Sequence, residues 1–383
     1  MNIPLLILLA GPVIAASIAA PAGVPQGQVL AADPLDGTGR AAWRRPPASF
    51  VDAPGGGRVF RAERGTTIDP SVLPWIGDES WSAYRVEVDV LPEKMWAGID
   101  FHVQNDGASG CNVTMFHLPE GELVFELAGL WGEAYAWKPW PIGQRRVPHR
   151  AGDWVRLRLD IGPTSMNMYI NGAAEPAASF RDLPFSRGGV RLMTYAGSAL
   201  FRNLKITEIA AREAAPVLTD PWAEARAGQT ITSWEATPPR PKGYAEDRLP
   251  SEAISGSGPW TKAPADSRGV IHLTPLFRSQ NTSGVSFART RVEADKAGTR
   301  RLKVTYTDTF SLWCNGQKIF DGPPRQWFHP DREKNGNSRL IPDQYEVAVP
   351  LRAGANEIIV RTEVTEPFGW AFWMRWIEES DKF

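Results

Sequence analysis

The fold of this chain is decided by a seven-residue stretch, Tyr84-Arg-Val-Glu-Val-Asp-Val90. Its three valines alternate with Arg85, Glu87 and Asp89, so apolar and charged side chains point to opposite sides of an extended backbone. A strand with one apolar face and one charged face belongs to a sheet that is covered on one side only. The stretch therefore predicts an antiparallel β-sandwich, in which two such sheets pack through their apolar faces.

The same period of two continues downstream. In the stretch 96–104, the residues predicted to face outward are Trp96, Asp100, His102 and Gln104. The stretch 122–128 repeats the pattern with Glu122 and Glu126 outward, and 154–161 repeats it again. Further strands are predicted near 168–170, 189–195 and 200–208. These strands complete a first sandwich.

A second series of strands follows in the last third of the chain. The predicted strands are 284–292, 300–306, 310–314, 317–320, 344–349, 356–363 and 370–376. Asn-Gly pairs at 171–172 and 315–316 predict hairpin turns. No helical period separates the strands, so the predicted fold class is all-β. We expect two antiparallel β-sandwich (jelly-roll) domains in tandem after a signal peptide.

The last predicted strand has large aromatic residues on both faces. Trp370, Phe372, Trp373 and Trp376 do not follow an alternating pattern. Such a strand is either buried on both sides or located at an interface between the two domains. We favour the interface.

The N-terminal run 3–20 is apolar and is followed by small residues, which is typical of a cleaved signal peptide. An uncleaved anchor is the alternative. The predicted division of the chain is 1–22 signal peptide, 23–42 linker, 43–209 first sandwich, 210–260 linker or wrapping segment, and 261–383 second sandwich. Nothing later in the chain is long and apolar enough to span a membrane. The mature protein is therefore expected to be secreted, periplasmic or at the cell surface.

Composition limits the function classes. The chain has 383 residues, 43 % of them hydrophobic, and a net charge of -1. Its Lys and Arg residues are scattered and form no basic stripe, which argues against a nucleic-acid partner. The two cysteines, Cys111 and Cys314, lie in different predicted domains, so we expect two buried free thiols rather than a bridge.

Aromatic residues are concentrated in one short segment, Trp131-Gly-Glu-Ala-Tyr135-Ala-Trp137-Lys-Pro-Trp140. Gly and Pro interrupt it, so it is predicted to be a loop. Large flat rings on a loop are suited to stacking on the flat face of a sugar. The alternative is that the rings cap one end of the sandwich as a satellite hydrophobic cluster.

Two pairs of passages in the first predicted domain resemble a known family. They are Trp154-Val-Arg-Leu-Arg-Leu-Asp160 with Met168-Tyr-Ile-Asn171-Gly172, and Gly188-Gly-Val-Arg-Leu192 with Leu200-Phe-Arg-Asn-Leu-Lys-Ile206. Together they resemble concanavalin A-like (laminin G-like) jelly rolls, nearest the 3-keto-disaccharide hydrolase-like domain. Of the polar residues typical of that branch, only Glu126 has a counterpart here; its Asn, Arg and Asp are not matched. We therefore do not infer the activity of the 3-keto-disaccharide hydrolase-like domain for this chain.

The second predicted domain resembles the galactose-binding-like jelly rolls that accompany many glycoside hydrolases. The resemblance rests on Leu312-Trp-Cys-Asn-Gly-Gln-Lys318, Leu351-Arg-Ala-Gly-Ala-Asn-Glu-Ile-Ile359 and Phe368-Gly-Trp-Ala-Phe-Trp373. It implies a domain without catalytic activity.

The outward face of the first sandwich carries the candidate catalytic residues. If strands 96–104 and 122–128 share a sheet, Asp100 or His102 could face Glu126, and glycoside hydrolysis needs such a pair at about 5–9 Å. Ordinary solvation of an exposed sheet face explains the same charges. His117 lies on the opposite face of its strand from the other polar residues, so no metal site is predicted. The loop 105–107 (Asn-Asp-Gly) is a weak candidate for a structural calcium.

The leading hypothesis is an exported carbohydrate-binding protein of a glycan-processing system, with a poly- or oligosaccharide as its partner. Its predicted sugar-contacting residues are Trp96, Gln104, Trp131, Tyr135, Trp137 and Trp140, with Asp100, His102 and Glu126 bonding hydroxyls. One alternative is a glycoside hydrolase, including 3-keto-glycoside cleavage, in which Glu126 acts with Asp100 or His102. Another is a non-catalytic structural or adhesion module.

Overall fold

The computed structural model describes most of the chain. The described residues are 27–64, 73–93, 96–118, 121–131, 134–136, 145–219, 229–245, 248–250, 258–277, 284–323, 340, 343–364 and 370–378. The predicted signal peptide, 1–22, lies outside them. The fold is all-β, with 58 % strand and 3 % helix, which confirms the predicted fold class. No helix within the described ranges has the length and apolar character of a membrane span.

The strands of the first half alternate with short connections. In chain order they are β1 (Val29–Asp33), β2 (Trp43–Arg45), β3 (Phe50–Asp52), β4 (Arg58–Arg64), β5 (Trp75–Ile76), β6 (Tyr84–Pro92), β7 (Trp96–Val103), β8 (Gly110–Leu118), β9 (Glu122–Trp131), β10 (Ala134–Ala136), β11 (Arg145–Pro148), β12 (Val155–Ile161), β13 (Ser165–Ile170), β14 (Ala178–Arg181), β15 (Gly189–Tyr195) and β16 (Gly197–Glu208). A 3₁₀-helical turn, Ala211–Ala214, follows them.

These strands form two antiparallel sheets. The first sheet has the order β14-β13-β12-β6-β16-β4-β3, with β1 also paired to β16. The second sheet has the order β10-β9-β8-β7-β15-β5-β2, with β11 also paired to β9. Strand β1 lies within 23–42, the segment assigned to the linker, and pairs with β16 of the first sheet.

The two sheets of the first half pack through their apolar faces. The first sheet contributes Val86, Val88, Val90, Leu157 and Leu159, and the second contributes Ile99, Phe101, Val113, Phe125 and Leu127. All are buried, and each large apolar side chain contributes about 1.5–3 kcal/mol by leaving water. The alternation predicted for β6, β9 and β12, and for β7 as far as Phe101, is thus the alternation of the folded chain.

The second half has its own strands. They are β17 (Ser233–Ala236), β18 (Thr261–Pro264), β19 (Ile271–His272), β20 (Gly284–Ala294), β21 (Gly298–Tyr306), β22 (Thr309–Cys314), β23 (Gln317–Gly322), β24 (Tyr345–Leu351), β25 (Gly354–Val364) and β26 (Ala371–Trp376), with a short α-helix at Thr274–Phe277. One sheet has the order β18-β17-β20-β25-β22-β23 and the other β19-β26-β21-β24. A second apolar cluster lies between them. The boundaries of the two domains stay a prediction.

The two Asn-Gly pairs form different connections. Asn315 and Gly316 have φ angles of 50° and 82° and join β22 to β23 directly, with Cys314 paired to Gln317. The turn at Asn171 and Gly172 also has positive φ angles, 54° and 76°, but it lies within a longer connection between β13 and β14. The first pair is a two-residue hairpin, as predicted, and the second is not.

Strand β26 is buried on both faces by residues of the second half. Phe372 belongs to the main core of this half. On the other face Trp373 packs with Val270 and Leu340, and its Nε1 donates to the carbonyl oxygen of Arg268 at 2.9 Å. The prediction that this strand lies at an interface between the two domains is therefore wrong, and the alternative, burial on both sides, is correct. Its aromatic residues are core on one side and a smaller cluster on the other.

Side chains from the predicted wrapping segment cover the outer face of the six-stranded sheet. Tyr244, Leu249 and Trp260 pack there in one cluster with Phe287 and Trp313. Both cysteines are buried and free, as predicted.

Candidate functional site

The outer face of the second sheet carries a set of polar side chains that we call the polar row. It consists of Asp100 on β7, Asn112 and Thr114 on β8, Glu126 on β9 and Arg191 on β15. Asp100 pairs in register with both Asn112 and Arg191, and Thr114 pairs with Glu126. These residues alternate along their strands with core residues, so they share the face that points away from the sandwich interior.

An ion pair occupies the centre of the polar row. The Nε atom of Arg191 donates to Oδ2 of Asp100 at 2.6 Å, and Nδ2 of Asn112 donates to Oδ1. Arg191 also donates from its guanidinium to the carbonyl oxygen of Gly107. Both carboxylate oxygens of Asp100 are thus bound by neighbouring side chains, and this fixes the position of the row.

Two polar atoms of the row have no hydrogen-bond partner among the described residues, Oδ1 of Asn112 and Oγ1 of Thr114. Both residues are buried. A buried polar atom left without a partner costs about 1–3 kcal/mol, and native proteins seldom retain one without a reason. The row therefore offers two hydrogen-bonding atoms beside a fixed ion pair.

Three aromatic side chains, which we call the aromatic cluster, lie at one end of the same face. The ring of Trp96 is 6.1 Å from that of Phe116 and 5.6 Å from that of Tyr195, centroid to centroid. All three side chains are half-buried. Trp96 was predicted to contact sugar, whereas Phe116 and Tyr195 were not selected. The period of two in β8 and β15 was the signal that could have found them.

The predicted exposure of this face was wrong. Asp100, Asn112, Thr114 and Glu126 are all buried, and Glu126, the most accessible of them, is 3 % exposed. These four side chains are therefore not solvated on an open sheet surface. This is a tertiary effect, because the alternation along a strand reports the face of a side chain and not whether that face is covered.

The predicted carboxylate pair lies on two strands that are not adjacent. Strands β7 and β9 share a sheet, but β8 lies between them. Glu126 is opposite Thr114, which is opposite Gly98, two residues before Asp100. Strand spacing then places the Cα atoms of Asp100 and Glu126 about 12 Å apart. Since Asp100 is also held by Arg191 and Asn112, the arrangement does not favour a pair of catalytic carboxyl groups.

His102 does not belong to the polar row. The register between β7 and β15 shifts at this residue, which has a φ of 50°. A bulge of this kind re-aims a side chain. The imidazole lies edge-on to Tyr84 of the first sheet at 5.6 Å, and its Nδ1 donates to the carbonyl oxygen of Phe185 at 2.7 Å. The prediction that His102 faces outward with Asp100 is therefore wrong.

Burial determines the protonation of His102. The side chain is buried between the two sheets. Burial lowers the pKa of His102 from 6.5 to about 4, because the cation would lose its hydration. His102 is therefore neutral at pH 7.

Gln104 and the loop after it have structural contacts. Nε2 of Gln104 donates to the carbonyl oxygens of His102 and Arg187 at 2.8 and 2.7 Å. The carboxylate of Asp106 accepts hydrogen bonds from Ala108 and Ser109. These bonds close a tight turn and hold the pKa of Asp106 below its usual value, against the effect of burial. They account for the conformation of the loop at 105–107.

The aromatic segment after β9 is only partly described. Trp131 is half-buried, and its ring centroid lies 5.9 Å from that of Phe185. It also lies over Gly129, where a Cβ atom would be 2.4 Å from the indole. Trp131 therefore packs at the end of the sandwich, in line with the alternative hypothesis that the rings cap one end of it. Tyr135 lies on β10, a strand where a loop was predicted, and its side chain is outside the described part, as are Trp137 and Trp140.

His117 lies on the opposite face of its strand from the polar row. Its imidazole is 5.1 Å from that of His149, centroid to centroid. Burial, and then repulsion from His149, lowers the pKa of His117. No group of three or more His, Cys, Asp or Glu residues suited to a metal ion occurs in the described part of the chain.

Comparisons with known proteins give only distant similarities. No family model matches the sequence. No curated protein matches it either. Among solved structures, the chain is similar to the carbohydrate binding module CBM66 from Bacillus subtilis, with 12 % identity, a TM-score of 0.30, and coverage of 43 % of this chain and 95 % of that one.

Two further structures are of related kinds. Domain 4 of AbnA, a GH43 extracellular arabinanase from Geobacillus stearothermophilus, in complex with arabinotriose, shows 16 % identity and a TM-score of 0.29 over 49 % of this chain and 95 % of that one. The Caenorhabditis elegans galectin LEC-6 shows 9 % identity and a TM-score of 0.23 over 39 % of this chain and 89 % of that one. With TM-scores this low, these similarities do not indicate what this chain binds.

Proposed function

We propose that this protein binds carbohydrate on the outer face of the second sheet. The polar row supplies hydrogen bonds to sugar hydroxyls, and the aromatic cluster supplies a surface for a sugar ring. The observation that supports this most is the pair of buried atoms without partners, Oδ1 of Asn112 and Oγ1 of Thr114. A ligand that satisfies both removes the cost that the free protein bears.

Hydroxyl groups match these atoms chemically. Each hydroxyl donates one hydrogen bond and accepts others, so it can donate to the amide oxygen of Asn112 and pair with the hydroxyl of Thr114. Asp100 and Arg191 are already fixed by their own ion pair. Polar groups held in place before binding cost less entropy when the ligand arrives.

The aromatic cluster completes a surface of the kind that sugars need. Trp96, Phe116 and Tyr195 are half-buried, whereas the polar row is buried. A sugar ring would therefore meet the half-buried indole of Trp96 first, and would reach Asn112 and Thr114 only after the groups that cover them move aside. This favours the end of a glycan chain, or a short oligosaccharide, over a long chain lying flat on the sheet. Binding sites of this type combine aromatic walls with a few polar groups.

We also propose that the protein is exported and belongs to a glycan-processing system. The proposal of export rests on the apolar run 3–20. Kinship with the 3-keto-disaccharide hydrolase-like domain rests on the passages in 154–172 and 188–206. Because Asp100 is held by Arg191 and Asn112, the row does not favour glycoside hydrolysis as a second function.

A pair of tryptophan substitutions tests the site. Trp96→Ala removes the indole of the aromatic cluster. Trp154→Ala is the matched control, because Trp154 is a half-buried indole that packs on the outer face of the other sheet, with the guanidinium of Arg202 4.1 Å from its ring centroid. Both variants and the parent chain are assayed by depletion on insoluble polysaccharides and by calorimetry with an oligosaccharide panel.

We expect Trp96→Ala to lose about 2 kcal/mol of binding free energy, roughly thirtyfold in affinity, and Trp154→Ala to bind like the parent. Equal binding by both variants would show that the sugar site is elsewhere. If no glycan binds the parent chain, the structural or adhesion hypothesis gains and the proposal fails.

A further inference from the structure

Two histidines meet on the inner-face side of the second sheet, beyond the end of the core. His117 on β8 is paired in register with Leu123. His149 follows β11, and its backbone N–H donates to the carbonyl oxygen of Gly121 at 2.9 Å. Strand β9 lies between β8 and β11, so the two imidazoles approach each other from the two sides of its first residues.

All four ring nitrogens of this pair are enclosed and have no hydrogen-bond partner among the described residues. A neutral imidazole has one donor and one acceptor, and each costs about 1–3 kcal/mol when buried unpaired. Stacking of two rings satisfies none of these atoms. A buried polar group without a partner commonly marks a bound ion or water.

The distance between the rings fits a shared metal ion. The centroids are 5.1 Å apart and the planes are inclined at 37°. Two imidazoles bound to one tetrahedral Zn²⁺, with Zn–N bonds of about 2.0–2.1 Å, have centroids about 5.2 Å apart. We infer that His117 and His149 form a binding site for a transition-metal ion of the Zn²⁺ type, separate from the polar row.

The ligand set predicts which ions bind. Within the described residues no third His, Cys, Asp or Glu makes a larger cluster here, and the inference rests on the two imidazoles. Nitrogen ligands favour Cu²⁺, Ni²⁺ and Zn²⁺, with Cu²⁺ strongest, whereas Mg²⁺ and Ca²⁺ prefer oxygen.

The test uses the full chain, freed of any purification tag and treated with a chelator. Calorimetry with ZnCl₂ is expected to show one site, and His117→Ala and His149→Ala are each expected to weaken it by more than about a hundredfold, because even supporting residues around a metal site typically contribute ten- to a hundredfold. His272→Ala is the matched control, since Nε2 of His272 already lies 3.1 Å from a carboxylate oxygen of Asp266. This control is expected to bind Zn²⁺ like the parent.

Two further measurements keep the test decisive. Circular dichroism checks that each variant folds, and His117→Gln and His149→Gln replace any alanine variant that does not. Visible absorption of the Co²⁺ form reports nitrogen coordination directly. The inference is overturned if the Co²⁺ spectrum and the Zn²⁺ affinity survive both substitutions, if His272→Ala abolishes the site, or if Mg²⁺ competes as well as Cu²⁺.

Discussion

Replacing Thr114 by valine is expected to stabilise the protein while weakening its binding of sugar. Valine has the shape of threonine but no hydroxyl. Thr114 is 0 % exposed, and its Oγ1 has no partner among the described residues. Its removal therefore relieves a desolvation cost of about 1–3 kcal/mol and breaks no hydrogen bond within the described structure.

A matched substitution in the same sheet is expected to lower the free energy of unfolding instead of raising it. Thr194 on β15 is also 0 % exposed, but its hydroxyl donates to the carbonyl oxygen of Trp96 at 3.0 Å. Thr194→Val loses this bond and is expected to cost about 1 kcal/mol. Both substitutions are isosteric and lie in one sandwich, so the comparison isolates the hydrogen bond.

The assay is urea denaturation followed by tryptophan emission, with the free energy of unfolding extrapolated to water. Sugar affinity is measured in parallel, and Thr114→Val is expected to lower it about tenfold, the value of one hydrogen bond. Loss of more than about 1 kcal/mol of stability in Thr114→Val would show that the hydroxyl has a partner in the free protein. Unchanged sugar affinity would remove Thr114 from the binding site.

Two other predictions concern the charges of this sandwich. Arg191→Met leaves the carboxylate of Asp100 buried without its cation, so we expect a loss of about 3–5 kcal/mol in the same denaturation assay, and an unchanged midpoint would contradict the buried ion pair. The pKa of His102 is about 4 in the folded protein against 6.5 for the free side chain, so its protonation favours unfolding. The contribution of neutral His102 to the free energy of unfolding is complete above pH 6.5. It is lost as the pH falls from about 6.5 to 4, which lowers the free energy of unfolding by about 3 kcal/mol. His102→Asn, which tolerates a positive φ, is expected to remove this part of the pH dependence, and identical pH profiles for the parent and the variant would refute it.

The strand positions could be predicted because strand patterning is local. Strand β9 was predicted at 122–128 and found at Glu122–Trp131, and β7 was predicted at 96–104 and found at Trp96–Val103. An alternating strand needs only neighbouring residues to specify which side chains share a face. The Asn315–Gly316 hairpin was predictable for the same reason, since its two positive φ angles suit those two residues.

The candidate site depended on partners that are distant in sequence. Asp100 was recognised as an outer-face residue, but its partner Arg191 lies 91 positions away on β15. The position of β8 between β7 and β9 separated Asp100 from Glu126, although each residue was assigned to the correct face. A pattern along one strand carries no information about which strand becomes its neighbour.

The bulge at His102 shows the same limit within a single strand. Alternation predicts that His102 points the same way as Asp100, but one extra residue in the pairing with β15 reverses this. Nothing in the residues around position 102 indicates that extra residue. It arises because the register on either side is set by pairing with another strand.

The sequence by itself determined the all-β class, the positions of most strands, and the face on which Asp100 and Glu126 lie, because a strand repeats every two residues whatever surrounds it. Only the tertiary structure decided that these side chains are buried, that Arg191 neutralises Asp100, and that His117 meets His149. Burial and pairing are properties of the assembled sheets, where residues far apart in the chain exclude water from one another.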